Sequence, residues 1–146
     1  MFTGVGLVIT NKERNKFYFQ QKDETYWIPE YHLKYCFFGG GREKEENAYD
    51  TLKRELDEEL EPIVAKIILE KSKEVFLNEF INIFGKKCKH FIFEAILSEE
   101  EFKEIIKFPI KEGKQGKIFL KDELIEEKFF IETWKILKDY FKLKEN

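Results

Sequence analysis

The chain predicts an α/β protein in which a mixed β-sheet is held between helices. Three observations carry this. Runs of β-prone residues alternate with hairpin-type polar turns over most of the length. One acidic helix interrupts them near the middle. A second amphipathic helix closes the chain.

Taken in order, Thr3 to Thr10 (TGVGLVIT) is a β-rich run, 11–15 is a polar turn, and Lys16 to Lys22 (KFYFQQK) is a second strand; together they read as a hairpin. Asp23 to His32 contains Pro29 and reads as a loop. Its Tyr26, Trp27 and Tyr31 are candidates either to stack on a planar base or to cover core edges. Leu33 to Phe38 reads as a strand feeding a glycine loop, Gly39-Gly40-Gly41. Beyond the acidic helix, Ile63 to Lys71 (IVAKIILEK) is apolar and β-branched, which predicts a strand. Glu74 to Phe84 and His90 to Leu97 read as strands around a GKKCK turn, whose Lys86, Lys87 and Lys89 either meet a polyphosphate or simply face water. Ser98 opens a capping-box pattern before Phe102, Ile105 and Ile106, consistent with a short helix or a loop. Lys111 to Leu120 gives a loop and a strand, and Lys121 to Glu127 a helical turn. Phe130, Trp134, Leu137 and Phe141 at helical spacing predict the final helix.

Whole-chain totals narrow the function classes. At 146 residues the chain reads as one domain, 1–146, long enough for a substantial core. A formal charge of −3 argues against general nucleic-acid affinity. Cys36 and Cys88 show neither zinc spacing nor a disulfide framework, so a reducing, cytoplasmic setting is expected. No apolar run approaches the length of a membrane span, and the first ten residues lack the basic start of a signal peptide. His32 and His90 stand alone.

The chemistry concentrates between Phe38 and Pro62 (FGGGREKEENAYDTLKRELDEELEP). Asn47 is a plausible N-cap with Asp50 three residues on. Ala48, Leu52, Leu56 and Leu60 form an apolar stripe. Glu55, Glu58 and Glu59 at i, i+3, i+4 share one helix face. Three adjacent carboxylates must be solvated or neutralised, and a hard divalent cation with oxygen ligands is the usual neutraliser. Arg54 is placed to hold them by charge-assisted hydrogen bonds. In a chain with 29 acidic residues a Glu cluster by itself reads as a solvated face. The spacing decides otherwise. The stretch resembles the Nudix box, G-x5-E-x7-R-E-U-x-E-E-x-G-U, with U a bulky aliphatic. Gly40, Glu46, Arg54, Glu55, Leu56, Glu58 and Glu59 fall in register. The six fixed residue types would align by chance in roughly one window in a million. Glu61 and Pro62 depart from the last Gly and aliphatic, which places the helix exit in question; Pro62 offers another way to stop the helix.

That resemblance implies a Nudix-type α/β/α sandwich and hydrolysis of the pyrophosphate link in a nucleoside diphosphate joined to a group X. It implies Mg2+ (or Mn2+) as cofactor, held by Glu58 and Glu59 with the Gly39 carbonyl. Glu55 would be a third ligand or the base, Arg54 its orienting partner, and Glu46 a support of the loop–helix geometry. KEGKQGKIF is similar to a Glu-Gly-Gln loop of MutT-type enzymes with one inserted residue, which makes Glu112 a candidate ligand or general base. A small-molecule nucleotide is the implied partner, and a homodimer is compatible with the chain. MutT-type enzymes that clear oxidised guanine nucleotides carry an Asn before the last helix, and Glu126 to Phe130 has none. The competing readings are a catalytically silent nucleotide-sensing module, isopentenyl diphosphate isomerisation through Cys36, and removal of 5′ pyrophosphate from RNA, which the net charge disfavours.

Overall fold

The computed structural model describes residues 2–145, so the two ends of the expected 1–146 unit lie outside it. Seven strands and four helices are described: β1 Phe2–Thr10, β2 Lys16–Gln21, β3 Tyr35–Cys36, β4 Phe38–Gly41, α1 Ala48–Glu59, α2 Pro62–Lys71, β5 Ser72–Ile81, β6 Lys87–Ile96, α3 Glu99–Ile105, β7 Gln115–Leu120 and α4 Ile131–Lys144.

The sheet is mixed. Its spine runs β3-β2-β1-β6-β5, with β4 paired to β1 and β7 to β2. β1 lies parallel to β6 and antiparallel to β2 and β4. β1 alternates its side chains between two cores, as the strand period requires. Val5, Leu7 and Ile9 face a core built with Leu52, Leu56 and Leu60, α2 (Val64, Ala65, Ile68) and α3 (Phe102, Ile105). Val8 points the other way, into Phe17, Phe19, Phe119 and the α4 residues Ile136, Leu137 and Tyr140. Helices therefore cover both faces of one sheet, an α/β/α sandwich with α1, α2 and α3 on one side and α4 on the other. The buried face of α4 centres on Thr133, Ile136, Leu137 and Tyr140; Trp134 and Phe141 sit at its margin.

Three readings need correction. Residues 62–71 are a helix, not a strand. Pro62 occupies the first turn, where its missing N–H is not needed, and Val64, Ala65 and Ile68 bury one helical stripe. Apolar and β-branched composition hid that period. Pro62 thus begins α2 rather than simply ending α1. The expected final Gly of the box is also explained. Leu60 and Glu61 are extended, with φ of −129° and −61°, and an extended exit needs no glycine. Second, the three glycines are a strand, β4, whose Gly39, Gly40 and Gly41 stand opposite Gly6, Val5 and Gly4. Third, Lys87 to Lys89 belong to β6, and the turn is made by Asn82, whose side chain accepts from the Phe84 and Lys86 amides. Both capping boxes form, Asn47 with Asp50 and Ser98 with Glu101.

Candidate active site

The site is built where α1 crosses β4. Each glycine faces one box side chain in turn. The Gly39 amide donates to Glu59 Oε1 at 3.0 Å. The Glu55 carboxyl lies over Gly40 so closely that a Cβ there would come within 2.5 Å of it. The Gly41 carbonyl accepts from Arg54 Nη2 at 2.8 Å. Gly39 also has φ +134°, and a side chain would meet the Val5 carbonyl at 2.3 Å, so the backbone itself requires glycine.

Arg54 is the organiser. Its guanidinium binds Glu46 through Nε at 2.7 Å and Nη2 at 3.0 Å, and reaches Glu55 at 3.0 Å and Glu58 at 3.3 Å through Nη1. Such a fork holds several carboxylates in fixed relation. Glu46 also accepts from the Glu43 amide and the Thr51 hydroxyl, tying the approach segment to α1. The Arg54 hydrogen bonds pull the Glu46 carboxyl down to about 2.

The three helix carboxylates sit in different surroundings. Glu58 is exposed. Glu55 is half-buried; burial, with the charges of Glu58 and Glu112, holds it above its usual range against the pull of Arg54. Glu59 is 2% exposed. Burial pushes it up to about 8, although Gln20 Nε2 donates to its Oε2 at 2.8 Å and the Gly39 amide to Oε1. Among the described residues no three carboxylates enclose one point as a metal would require. Glu59 is drawn inward onto neutral donors, and Glu55 and Glu58 share Arg54. The donor set nevertheless fits a hard cation: all oxygens, several of them carboxylate, with two carboxyls held above their usual range by burial, Glu55 despite Arg54 and Glu59 with no bonded countercharge.

Glu112 lies on an exposed loop fixed at both ends. The Lys111 amide donates to the Glu59 carbonyl and the Lys114 amide to the Gln21 carbonyl, each at 2.8 Å. Gly113, at φ +85°, makes the turn between them. The loop thus docks on the C-terminal end of α1, near enough for Glu112 to raise Glu55.

Residues outside the box complete the surroundings. Gln20 is buried; its amide donates to Glu59 and to the Phe37 carbonyl, and its oxygen accepts from Lys22 Nζ at 3.1 Å. A cavity of about 170 Å3 runs along Gln20, Lys22, Gly39 and Gly40. It shares Tyr26, His90, Phe130 and Glu132 with a larger cavity of about 600 Å3 under Trp27 and Phe84. Sequence reasoning missed Gln20, Lys22, Phe84 and Glu132. Only strand alternation, which puts Gln20 and Lys22 on one side of the chain, gave any signal. Cys36 and Cys88 are free and buried, and burial pushes the Cys36 thiol up to about 12, leaving it unreactive. No helix among the described residues is long and apolar enough to cross a membrane.

The comparisons with known proteins agree with this architecture. No curated protein matches the chain. Among solved structures, a MutT protein from Methanosarcina mazei superposes with a TM-score of 0.68 at 14% identity, over 99% of this chain and 95% of that one. An Ap4A hydrolase from C. elegans gives 0.64 at 15% identity, over 97% and 98%. The NUDIX domain of Shewanella oneidensis NrtR, solved with ADP ribose, gives 0.66 at 11%, over 97% and 87%. At such identities these likenesses speak to the fold. The sequence model described as the NUDIX domain matches residues 2–139, and with nearly the whole chain inside that match, this protein belongs to the Nudix family.

Proposed function

We propose that this Nudix pyrophosphohydrolase cleaves the pyrophosphate link of a small nucleoside diphosphate-X, such as a nucleoside triphosphate, in a divalent-metal-dependent reaction. One observation carries the reading: three successive glycines of β4 receive Glu59, Glu55 and Arg54 of α1, so backbone and carboxylates meet with no side chain between them. Glu55, Glu58 and Glu59, with the Gly39 carbonyl and Glu112, would hold Mg2+ or Mn2+. When bound, the cation supplies charge neutralisation and a more acidic water. The protein's share is positioning. Arg54 fixes Glu55 and Glu58, Gln20 and the Gly39 amide fix Glu59, and Lys22 offers a positive charge to a phosphate in the small cavity. Water attacks phosphorus, the P–O bond to the leaving phosphate breaks, and Glu55 or Glu112 takes the water proton. Neighbouring proteins solved with, or named for, ADP ribose and Ap4A support a nucleotide as substrate class.

A non-hydrolysing nucleotide sensor is the second reading, favoured by the inward-drawn Glu59. Phosphate release from a panel of nucleoside di- and triphosphates, nucleotide sugars and dinucleotides, with Mg2+ and with EDTA, separates the two. Glu58→Gln should keep the melting temperature within about 2 °C, since Glu58 is exposed, yet cut metal-dependent turnover at least about 100-fold. Unchanged turnover would sink the site assignment.

A further inference from the structure

We propose that the β5–β6 turn, with Trp27 of the 23–32 loop beside it, docks on an anionic lipid surface. Four large apolar side chains are left in water here: Trp27 is 71% exposed, Ile81 64%, Phe84 56% and Ile83 37%. Leaving them so is costly, and an apolar cluster rimmed by polar groups marks a surface that another body covers. Trp27 and Phe84 come from distant segments, yet stack at 5.7 Å with planes 16° apart, so the two rings present one continuous apolar edge. Docking of this kind lies on the lipid surface and needs no spanning helix.

Charge identifies the covering body. Phe80 to Phe93 carries no carboxylate, in a chain where 29 of 146 residues are acidic, and the same stretch carries Lys86, Lys87 and Lys89. Lys86 and Lys87 are exposed. Elsewhere Lys16, Lys53 and Lys107 pair with Glu99, Asp57 and Glu104; among the described residues none of the three turn lysines is ion-paired. In the 23–32 loop, Asp23 accepts from the Thr25 amide and hydroxyl and Glu24 lies 3.9 Å from Lys114, which leaves Glu30 against the three lysines. Aromatic and branched side chains at a tip, with unpaired ammonium groups directly behind them, match the headgroup region of a bilayer: rings enter at headgroup level and the lysines meet anionic lipids. A second copy of the chain fits less well. The apolar cluster is confined to one turn and one loop, short of the roughly 20–30 residues a side of a stable protein interface. Sheet extension along β5 is obstructed too, because that edge strand carries an irregularity between Glu74 and Phe76 and the charges of Lys73, Glu74 and Glu79.

The test is co-sedimentation of the full chain with vesicles of phosphatidylcholine alone or with about 30% phosphatidylserine, without metal or nucleotide. The expected result is at least about fivefold more bound protein on the anionic vesicles, lost at about 0.5 M salt. Vesicles with brominated acyl chains should quench Trp27, read against Trp27→Phe, which keeps Trp134. The double variants Trp27→Ser/Phe84→Ser and Lys86→Glu/Lys87→Glu should each reduce binding at least about fivefold, with melting temperatures recorded to show that both fold. No binding to anionic vesicles overturns the proposal, and so does wild-type binding by both double variants. Equal binding to neutral vesicles overturns the role of the lysines. Sedimentation velocity without lipid gives the competing outcome: a dimer that Trp27→Ser/Phe84→Ser abolishes, with no vesicle binding, would assign the surface to a second copy and overturn lipid docking.

Discussion

Glu59 and Glu94 are both buried on this sheet, at 2% and 0% exposure, and their ionisation is pushed in opposite directions. Glu94, on β6, is also penalised by burial. However, hydrogen bonds from Arg14, at 2.9 and 3.3 Å, and from the Tyr140 hydroxyl outweigh that penalty, with Lys144 3.7 Å away, and the carboxyl falls below its usual range. Glu59 has only neutral donors, Gln20 and the Gly39 amide, and rises to about 8. Burial alone therefore does not say what a carboxylate is for. Glu94 carries its countercharge within the fold and ties α4 to the sheet. Glu59 has none at bonding distance, and sits beside an acidic helix face where a cation would supply it.

The contrast fixes what substitution should do. The largest expected effect is at Glu94. Glu94→Ala leaves Arg14, Lys144 and a buried Tyr140 hydroxyl without their acceptor, and should cost about 3–5 kcal/mol in urea denaturation. A loss below 1 kcal/mol would remove the structural half of the comparison. Arg14→Met should cost less, about 2 kcal/mol, because Tyr140 and Lys144 remain and Arg14 is partly solvated.

Glu59 should behave otherwise. Its folded pKa lies above the unfolded value of 4.5, so the folded state holds the proton more tightly. Its contribution to stability without metal is therefore greatest below pH 4.5, declines as pH rises to about 8, and is level beyond. Glu94 has the opposite sign: its contribution is present above 4.5 and is lost as pH falls through its lowered pKa. Glu59→Gln, costing only about 1 kcal/mol, should flatten the decline between pH 4.5 and 8 in chemical denaturation. Added Mg2+ should accordingly raise the wild-type melting temperature more at pH 8 than at pH 6, since below its pKa Glu59 must first release a proton. Equal shifts at both pH values would show that Glu59 takes no part in holding the cation.

The smallest structural effect is expected at Glu112. Glu112→Gln should change stability by less than about 0.5 kcal/mol, because the side chain is exposed and its loop is held by backbone bonds. Its turnover should nevertheless fall well below wild type. Full activity would show that the loop does not serve the reaction.

The box helix was legible because everything that specifies it is local. Asn47 and Asp50 cap it, Leu52, Leu56 and Leu60 bury one face, and the spacing of Arg54 to Glu59 sets the other. The Ser98–Glu101 capping box was legible for the same reason. Residues 62–71 were not. IVAKIILEK satisfies strand composition, and only packing of Val64, Ala65 and Ile68 against α1 and the sheet decides for a helix. Likewise, three glycines suit a loop by local preference, and pairing with β1 makes them a strand.

Sequence alone carried the family signature, the two-faced acidic helix and the broad α/β class, since each is written in local patterns or in their order along one continuous stretch of chain. Tertiary structure decided which glycine meets which carboxylate, that Glu59 is buried without a bonded countercharge, and that Trp27, Phe84 and Glu132 border one cavity. Those relations join segments more than a hundred residues apart, as with Trp27 and Glu132, and no local period records a contact that only the closing of the sheet creates.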